Sequence, residues 1–212
     1  MKKIKIILML TFMIFLITGC VNKIDKDTMK PTVIFSLNGN QIYAKTYSSK
    51  VTVSDNNKLE ANSLKYQWTT SNIAPTEASF TMSFINEEQI STPANVTGMY
   101  YLWISAKDKS GNSTIIKSAV FNLDNTLPVI SIVGNKKVMI HTGTLYKDAG
   151  ATASDNIDGN ITIKIQINSN VNYKKAGIYE VKYIVSDLAS NTTIPVTRTV
   201  MVVDAVSMPT GR

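Results

Sequence analysis

The 212 residues carry 22 basic and 15 acidic side chains, one histidine and one cysteine, a formal charge of +7 that becomes +4 once the three lysines of the first 19 residues are set aside. The remaining charge is evenly spread, with eight basic against seven acidic residues over 30–127 and eight against six over 128–204, which excludes a nucleic-acid-binding stripe. A lone cysteine excludes an internal disulfide, so each part of the chain must hold together by its apolar core.

Residues 1–19 open with Lys2, Lys3 and Lys5 and continue as the apolar run IILMLTFMIFLI, a basic region followed by an apolar core too short to span a bilayer comfortably. This is the pattern of an export signal. The run ends in Ile17-Thr18-Gly19-Cys20, which resembles the lipobox of bacterial lipoproteins. The resemblance implies cleavage before Cys20 and attachment of a diacylglycerol to its sulfur. Several acyl chains on one cysteine anchor stably, at about 0.8 kcal/mol per buried methylene, so the expected location is extracytoplasmic, on the outer face of a bacterial membrane. Residues 20–30 are then the lipidated cysteine and a short polar tether.

Beyond the tether, apolar and polar residues alternate with period two, most plainly along Tyr179, Val181, Tyr183 and Val185 with Glu180, Lys182 and Ser186 between them. Strands are predicted over 32–37, 50–54, 64–70, 79–84, 100–107 and 115–123, then over 129–132, 137–141, 151–154, 161–167, 171–173 and 196–203. No stretch has a convincing helical period, so the fold class is all-β. The chain also repeats itself. TGMYYLWISAKDKSGN, ending at Asn112, aligns without a gap on AGIYEVKYIVSDLASN, ending at Asn191, and pairs Gly98 with Gly177, Tyr100 with Tyr179 and Asp108 with Asp187. A period of this length matches a small sandwich rather than a solenoid unit. The predicted organisation is two tandem immunoglobulin-like β-sandwiches after a lipoprotein signal peptide, at 31–125 and 126–204, with a flexible tail at 205–212. The shared Gly-x-Tyr places a tyrosine at the strand entry, as in the tyrosine corner of such sandwiches.

The stretch Leu145-Tyr146-Lys147-Asp148-Ala149-Gly150-Ala151-Thr152-Ala153-Ser154-Asp155, followed by Ala176-Gly177-Ile178-Tyr179, resembles the bacterial surface Ig-like domain, a family that includes Ig-like repeats of pesticidal crystal proteins and domain of unknown function 5011. The first half, with Tyr66-Gln67-Trp68 and Gly98 to Asn112, is similar to another bacterial Ig-like repeat found in tandem on surface proteins. Both resemblances imply a spacer or adhesive module without catalysis.

Three groups of residues stand out as candidate sites. Registering the two copies puts Tyr101 opposite Glu180 and Trp103 opposite Lys182, which predicts an exposed aromatic strip fit for a glycan or a protein. Trp68, on one face with Leu64 and Tyr66, is the expected core tryptophan. Asp148, Asp155, Asp158 and Asp187 offer hard oxygen donors, and Asp124 lies at the junction where related tandem modules bind calcium. The expected cofactor is none, with calcium at Asp124, Asp155 and Asp158 as the alternative; DNIDGN lacks EF-hand spacing and the closing glutamate, and Asx and Gly are also common turn residues. No other cofactor is implied. His141 is the sole histidine and reads as an exposed bystander, and no phosphate loop, zinc spacing or nucleophile motif occurs. The sequence thus predicts a noncatalytic surface lipoprotein that meets the membrane through Cys20 and binds a surface glycan or protein but no nucleic acid. The alternatives are a passive stalk or assembly partner, and an accessory module of carbohydrate-processing enzymes.

Overall fold

A computed structural model describes residues 26–205; the export segment, Cys20 and most of the tail lie outside the described residues. Among the described residues no helix is long and apolar enough to cross a membrane. The described residues are all-β, with sixteen strands and two single-turn 3₁₀ segments. In the first half these are β1 (Thr32–Phe35), β2 (Asn40–Ala44), β3 (Ser48–Ser54), β4 (Lys65–Thr69), β5 (Met82–Ser83), β6 (Gln89–Ser91), β7 (Gly98–Lys107), β8 (Ser113–Lys117) and β9 (Phe121–Leu123). The second half contains β10 (Val129–Ile132), β11 (Lys137–His141), β12 (Ala151–Asp155), β13 (Gly159–Asn160), β14 (Gln166–Ser169), β15 (Gly177–Ile184) and β16 (Val196–Val203).

Each half is a sandwich, and its strands pair only with strands of the same half. Sheet β1-β3-β6 faces sheet β2-β9-β7-β4-β5, with β8 also on β7; sheet β10-β12-β13 faces β11-β16-β15-β14. The two halves share one device. The first strand pairs antiparallel in the small sheet, and the chain then crosses to the other sheet and pairs parallel with the last strand, as β2 on β9 and β11 on β16. A positive-φ glycine makes the crossing each time, Gly39 (φ 80°) and Gly134 (φ 77°). At Gly39 the room is gone as well, because a Cβ there would sit 2.6 Å from the Val120 carbonyl oxygen.

Alternation decides what is buried. Along β3, Ser49, Val51 and Val53 are buried, and the two valines meet Leu102, Ile104 and Ala106 of β7, with Phe84 and Ile90 closing the cluster. Trp68 is half-buried against this core and meets Phe121 edge-on at 5.4 Å, as expected of the sandwich tryptophan. In the second half Val181, Tyr183 and Val185 pack on Val200, Val202, Ile130, Ala153 and Ile161. The Gly-x-Tyr motif also has a local cause. Tyr179 hydroxyl donates to the Lys175 carbonyl at 3.0 Å, and its ring comes so close to residue 177 that a Cβ there would lie 3.3 Å from the hydroxyl oxygen.

Several boundaries depart from the sequence pattern. Residues 115–123 form two strands, because Ser118 Oγ accepts the Leu102 N–H and donates to its neighbour Ala119, which breaks the ladder with a bulge. Residues 161–167 are not one strand. Thr162 Oγ1 bonds both the N–H and the carbonyl of Ala153, and a 3₁₀ turn at Thr162–Lys164 follows before β14 begins. Residues 171–173 form no strand, and 79–84 hold only the end of the 3₁₀ turn Glu77–Ser79 and the two-residue β5.

Candidate functional site

The repeated Asp-x-x-x-Asn turn builds the same polar frame in both halves. Asp108 Oδ1 accepts the Asn112 N–H at 2.7 Å and Oδ2 accepts the Asn112 side-chain amide at 2.7 Å; Asp187 and Asn191 repeat both bonds at 2.7 Å. The same amide nitrogen then reaches the backbone carbonyl of the segment leading into that half, Asn112 to Asp27 at 3.1 Å and Asn191 to Asp124 at 3.0 Å. A third aspartate closes each group from the end of the second strand of the small sheet. Asp55 uses Oδ1 to accept the Asn57 N–H at 2.9 Å, and Asp155 uses Oδ1 to accept the N–H groups of Ile157 and Asp158 at 2.8 and 3.1 Å. The other carboxylate oxygen, Oδ2, is buried in both residues and has no hydrogen-bond partner among the described residues.

Carboxylate oxygens of Asp124, Asp155 and Asp187 thus lie within 4.8 Å of one another, and so do those of Asp27, Asp55 and Asp108. The junction group is the more deeply enclosed, with Asp124 1%, Asp187 7% and Asp155 8% exposed. Two like charges at such a separation repel by roughly 3 kcal/mol at an effective dielectric near 20. Burial, with the charges of Asp155 and Asp187, raises the Asp124 carboxyl above the ordinary range against the lowering pull of the Thr126 N–H and the Thr97 hydroxyl. Asp27, on the tether, is instead lowered by the Asn56 amide and the Met29 N–H.

The expected calcium set needs one correction. Asp124 and Asp155 come together, but Asp158 is not the third member; its Oδ2 accepts the Leu188 N–H at 2.6 Å and pins the turn that presents Asp187. Asp187 takes that place. The pairing of Asp108 with Asp187 in the repeat held this signal, since a residue repeated at the same turn of both copies carries the same frame.

The exposed aromatic strip is also overturned. Trp103 is only 5% exposed and Tyr101 is half-buried. The cause is the position of β7, which has β4 on one side and β8 and β9 on the other. Trp103 Nε1 donates to Thr69 Oγ1 at 3.1 Å, and the Lys117 ammonium lies over both rings, 4.7 Å from the Tyr101 centroid and 5.9 Å from that of Trp103. The turn Glu77–Ser79 is tied onto the same face, where Ser79 Oγ donates to Gln67, the residue directly opposite Trp103. The second copy has no such cover over Lys182, so the register argument transferred an exposure that only one copy has.

An exposed apolar row occurs elsewhere. On the outward face of the second sandwich Met139 of β11 pairs with Met201 of β16, which pairs with Ile178 of β15, and all three side chains are exposed. His141, the lone histidine, is exposed at the end of β11.

A buried network crosses the core of the same half. Arg198, on β16 and 1% exposed, pairs with Asp148 Oδ1 and donates to the carbonyls of Asn135 at 3.1 Å, Gly150 at 3.2 Å and Val133. Tyr146 and Tyr183 donate to Asp148 at 2.7 and 2.8 Å, and the Gly150 N–H does so at 3.1 Å. Burial pushes Asp148 up, but both tyrosines and Arg198 outweigh it and hold the carboxyl below its usual value; burial and Asp148 push the Tyr183 hydroxyl far up. Arg198 thereby clamps the crossing segment and both sheets together, which is the structural meaning of the Tyr-x-Asp-x-Gly stretch read in the sequence.

Residues 130–202 match the family described as bacterial surface protein, Ig-like domain. An 81.3 kDa protein of Acholeplasma phage L2 is 34% identical over 115 residues, which are 51% of this chain and 15% of the phage protein. Among solved structures, the lipoprotein BT2262 from Bacteroides thetaiotaomicron is similar at 26% identity over 39% of this chain and 41% of its own, with a TM-score of 0.34. The CBM51-2 and INT domains of Clostridium perfringens ZmpB, solved with GlcNAc, are similar at 34% identity over 37% of this chain and 17% of theirs, with a TM-score of 0.31. The fibronectin(III)-like modules of Clostridium thermocellum CbhA align at 13% identity over 85% of this chain and all of theirs, with a TM-score of 0.35. The chain spans well under two thirds of the phage protein and of the first two structures.

Proposed function

We propose that the chain is a noncatalytic interaction module on the outer face of a bacterial membrane, held there by lipid on Cys20, and that it binds a surface protein through the outward face of β11, β16 and β15. The exposed Met139–Met201–Ile178 row carries this reading. Methionine and isoleucine offer adaptable apolar area suited to a protein surface, and the row holds no aromatic ring on which a sugar would stack. The bacterial surface family and the export pattern of residues 1–19 support the location.

The test is cosedimentation of residues 21–212 with cell-wall sacculi that retain their proteins and with protease-stripped sacculi, using wild type and a Met139→Lys/Met201→Lys double variant. Both side chains face solvent, so the substitutions leave the core intact. Binding to the protein-bearing wall that stripping and the double variant both abolish is the expected result. Retention on stripped sacculi would make the partner a glycan, and no retention in any arm would make the chain a passive spacer.

A further inference from the structure

We infer that Asp124, Asp155 and Asp187 form a binding site for a hard divalent cation, calcium, where the first sandwich passes into the second. The site draws its carboxylates from three separate places: the connector, the end of β12 and the turn after β15. All three residues are less than a tenth exposed, and among the described residues none of them makes an ion pair. A cluster of aspartates alone would not identify a site. The decisive observation is Asp155, whose Oδ1 is fully occupied by two backbone N–H groups while Oδ2 is enclosed with no partner at all.

An enclosed carboxylate oxygen without a donor is costly unless a cation takes its lone pairs. The spacing fits one. Oxygens bound to calcium at 2.3–2.6 Å stand at most about 5 Å apart across the ion, which matches three donors within 4.8 Å of each other. Magnesium demands a near-ideal octahedron and keeps several of its waters, whereas calcium takes most of its shell from protein oxygens, so an enclosed set of carboxylates suits calcium better. The turn that carries Asp187 is prearranged, since Asn191 fixes both its oxygens and the Asp124 carbonyl, and Asp158 holds the turn through Leu188. A bound ion would therefore tie the connector to the second sandwich. The Asp27, Asp55 and Asp108 group repeats the frame, but Asp27 and Asp55 are only half-buried, and the inference is confined to the junction. It is independent of the proposed docking face.

Calcium titrated into metal-free residues 21–212, followed by calorimetry and by thermal melting, tests this. Asp155→Asn keeps the oxygen that caps Ile157 and Asp158 and removes the charge; Asp124→Asn keeps the acceptor for Thr126 and serves if the first variant fails to fold. Wild type is expected to bind with Kd on the order of 10⁻⁴–10⁻³ M, as extracellular modules do, and to melt higher with calcium. The variant should lose at least tenfold in affinity at one equivalent, whereas Glu180→Gln, on the remote outer face, should behave as wild type. No calcium response in wild type, an unchanged isotherm in the variant, or an equal response to magnesium would overturn the assignment.

Discussion

The second sandwich buries carboxylates in two places and treats them in opposite ways. Asp148 lies beneath a guanidinium, two phenols and a backbone N–H, so its charge is matched within the core. Asp124, Asp155 and Asp187 are more deeply enclosed, each less than a tenth exposed against 22% for the Asp148 side chain, yet each of their neighbours within the group adds negative charge. The carboxyl ionisations follow suit, lowered at Asp148 and raised at Asp124. The difference separates a structural clamp from a site that requires something from outside. A buried charge that the chain neutralises itself holds the fold together; one that it leaves unmatched stores a demand for a ligand.

The comparison is broken most severely by Arg198→Ala. That substitution leaves the half-buried Asp148 without its cation, empties the site of a fully buried side chain and removes donors from three carbonyls, so denaturant unfolding should show a loss of about 3 kcal/mol. Tyr183→Phe removes one hydrogen bond to the charged carboxylate and should cost about 2 kcal/mol in the same measurement. The smallest effect is in the pH profile of metal-free protein. Asp148, lowered in the fold, contributes stability that is complete above the unfolded value of 3.8 and is lost as pH falls through its folded pKa. Asp124, raised in the fold, acts the other way: the native state binds its proton more tightly, so stability falls as pH rises from 3.8 through the folded value. Melting temperatures in chelator from pH 3 to pH 7 should show both limbs, and Asp124→Asn should remove only the second.

Much of the fold was legible because burial on one face writes period two into the chain. The strands at 129–132, 137–141 and 196–203 match their predicted limits, and β3 alternates without a fault. What alternation could not carry was side-chain interference with the ladder, as at Ser118 and Thr162, or strands too short or too polar to show a period, such as β2 and β6. The site divided in the same way. The repeat already paired Asp108 with Asp187, but Asp158 stood nearer to Asp155 in sequence and drew the expectation to itself. Trp103 failed for a different reason: register fixes which face a side chain occupies, and a covering lysine and a tied-down turn decide whether that face is wet.

The most direct measurement is a crystal structure of residues 21–212 grown with millimolar calcium and refined against anomalous differences. The account predicts an ion between Asp124, Asp155 and Asp187, with Asp155 Oδ2 among its ligands at 2.3–2.6 Å. A lysine, or only water, against that oxygen at saturating calcium would contradict it.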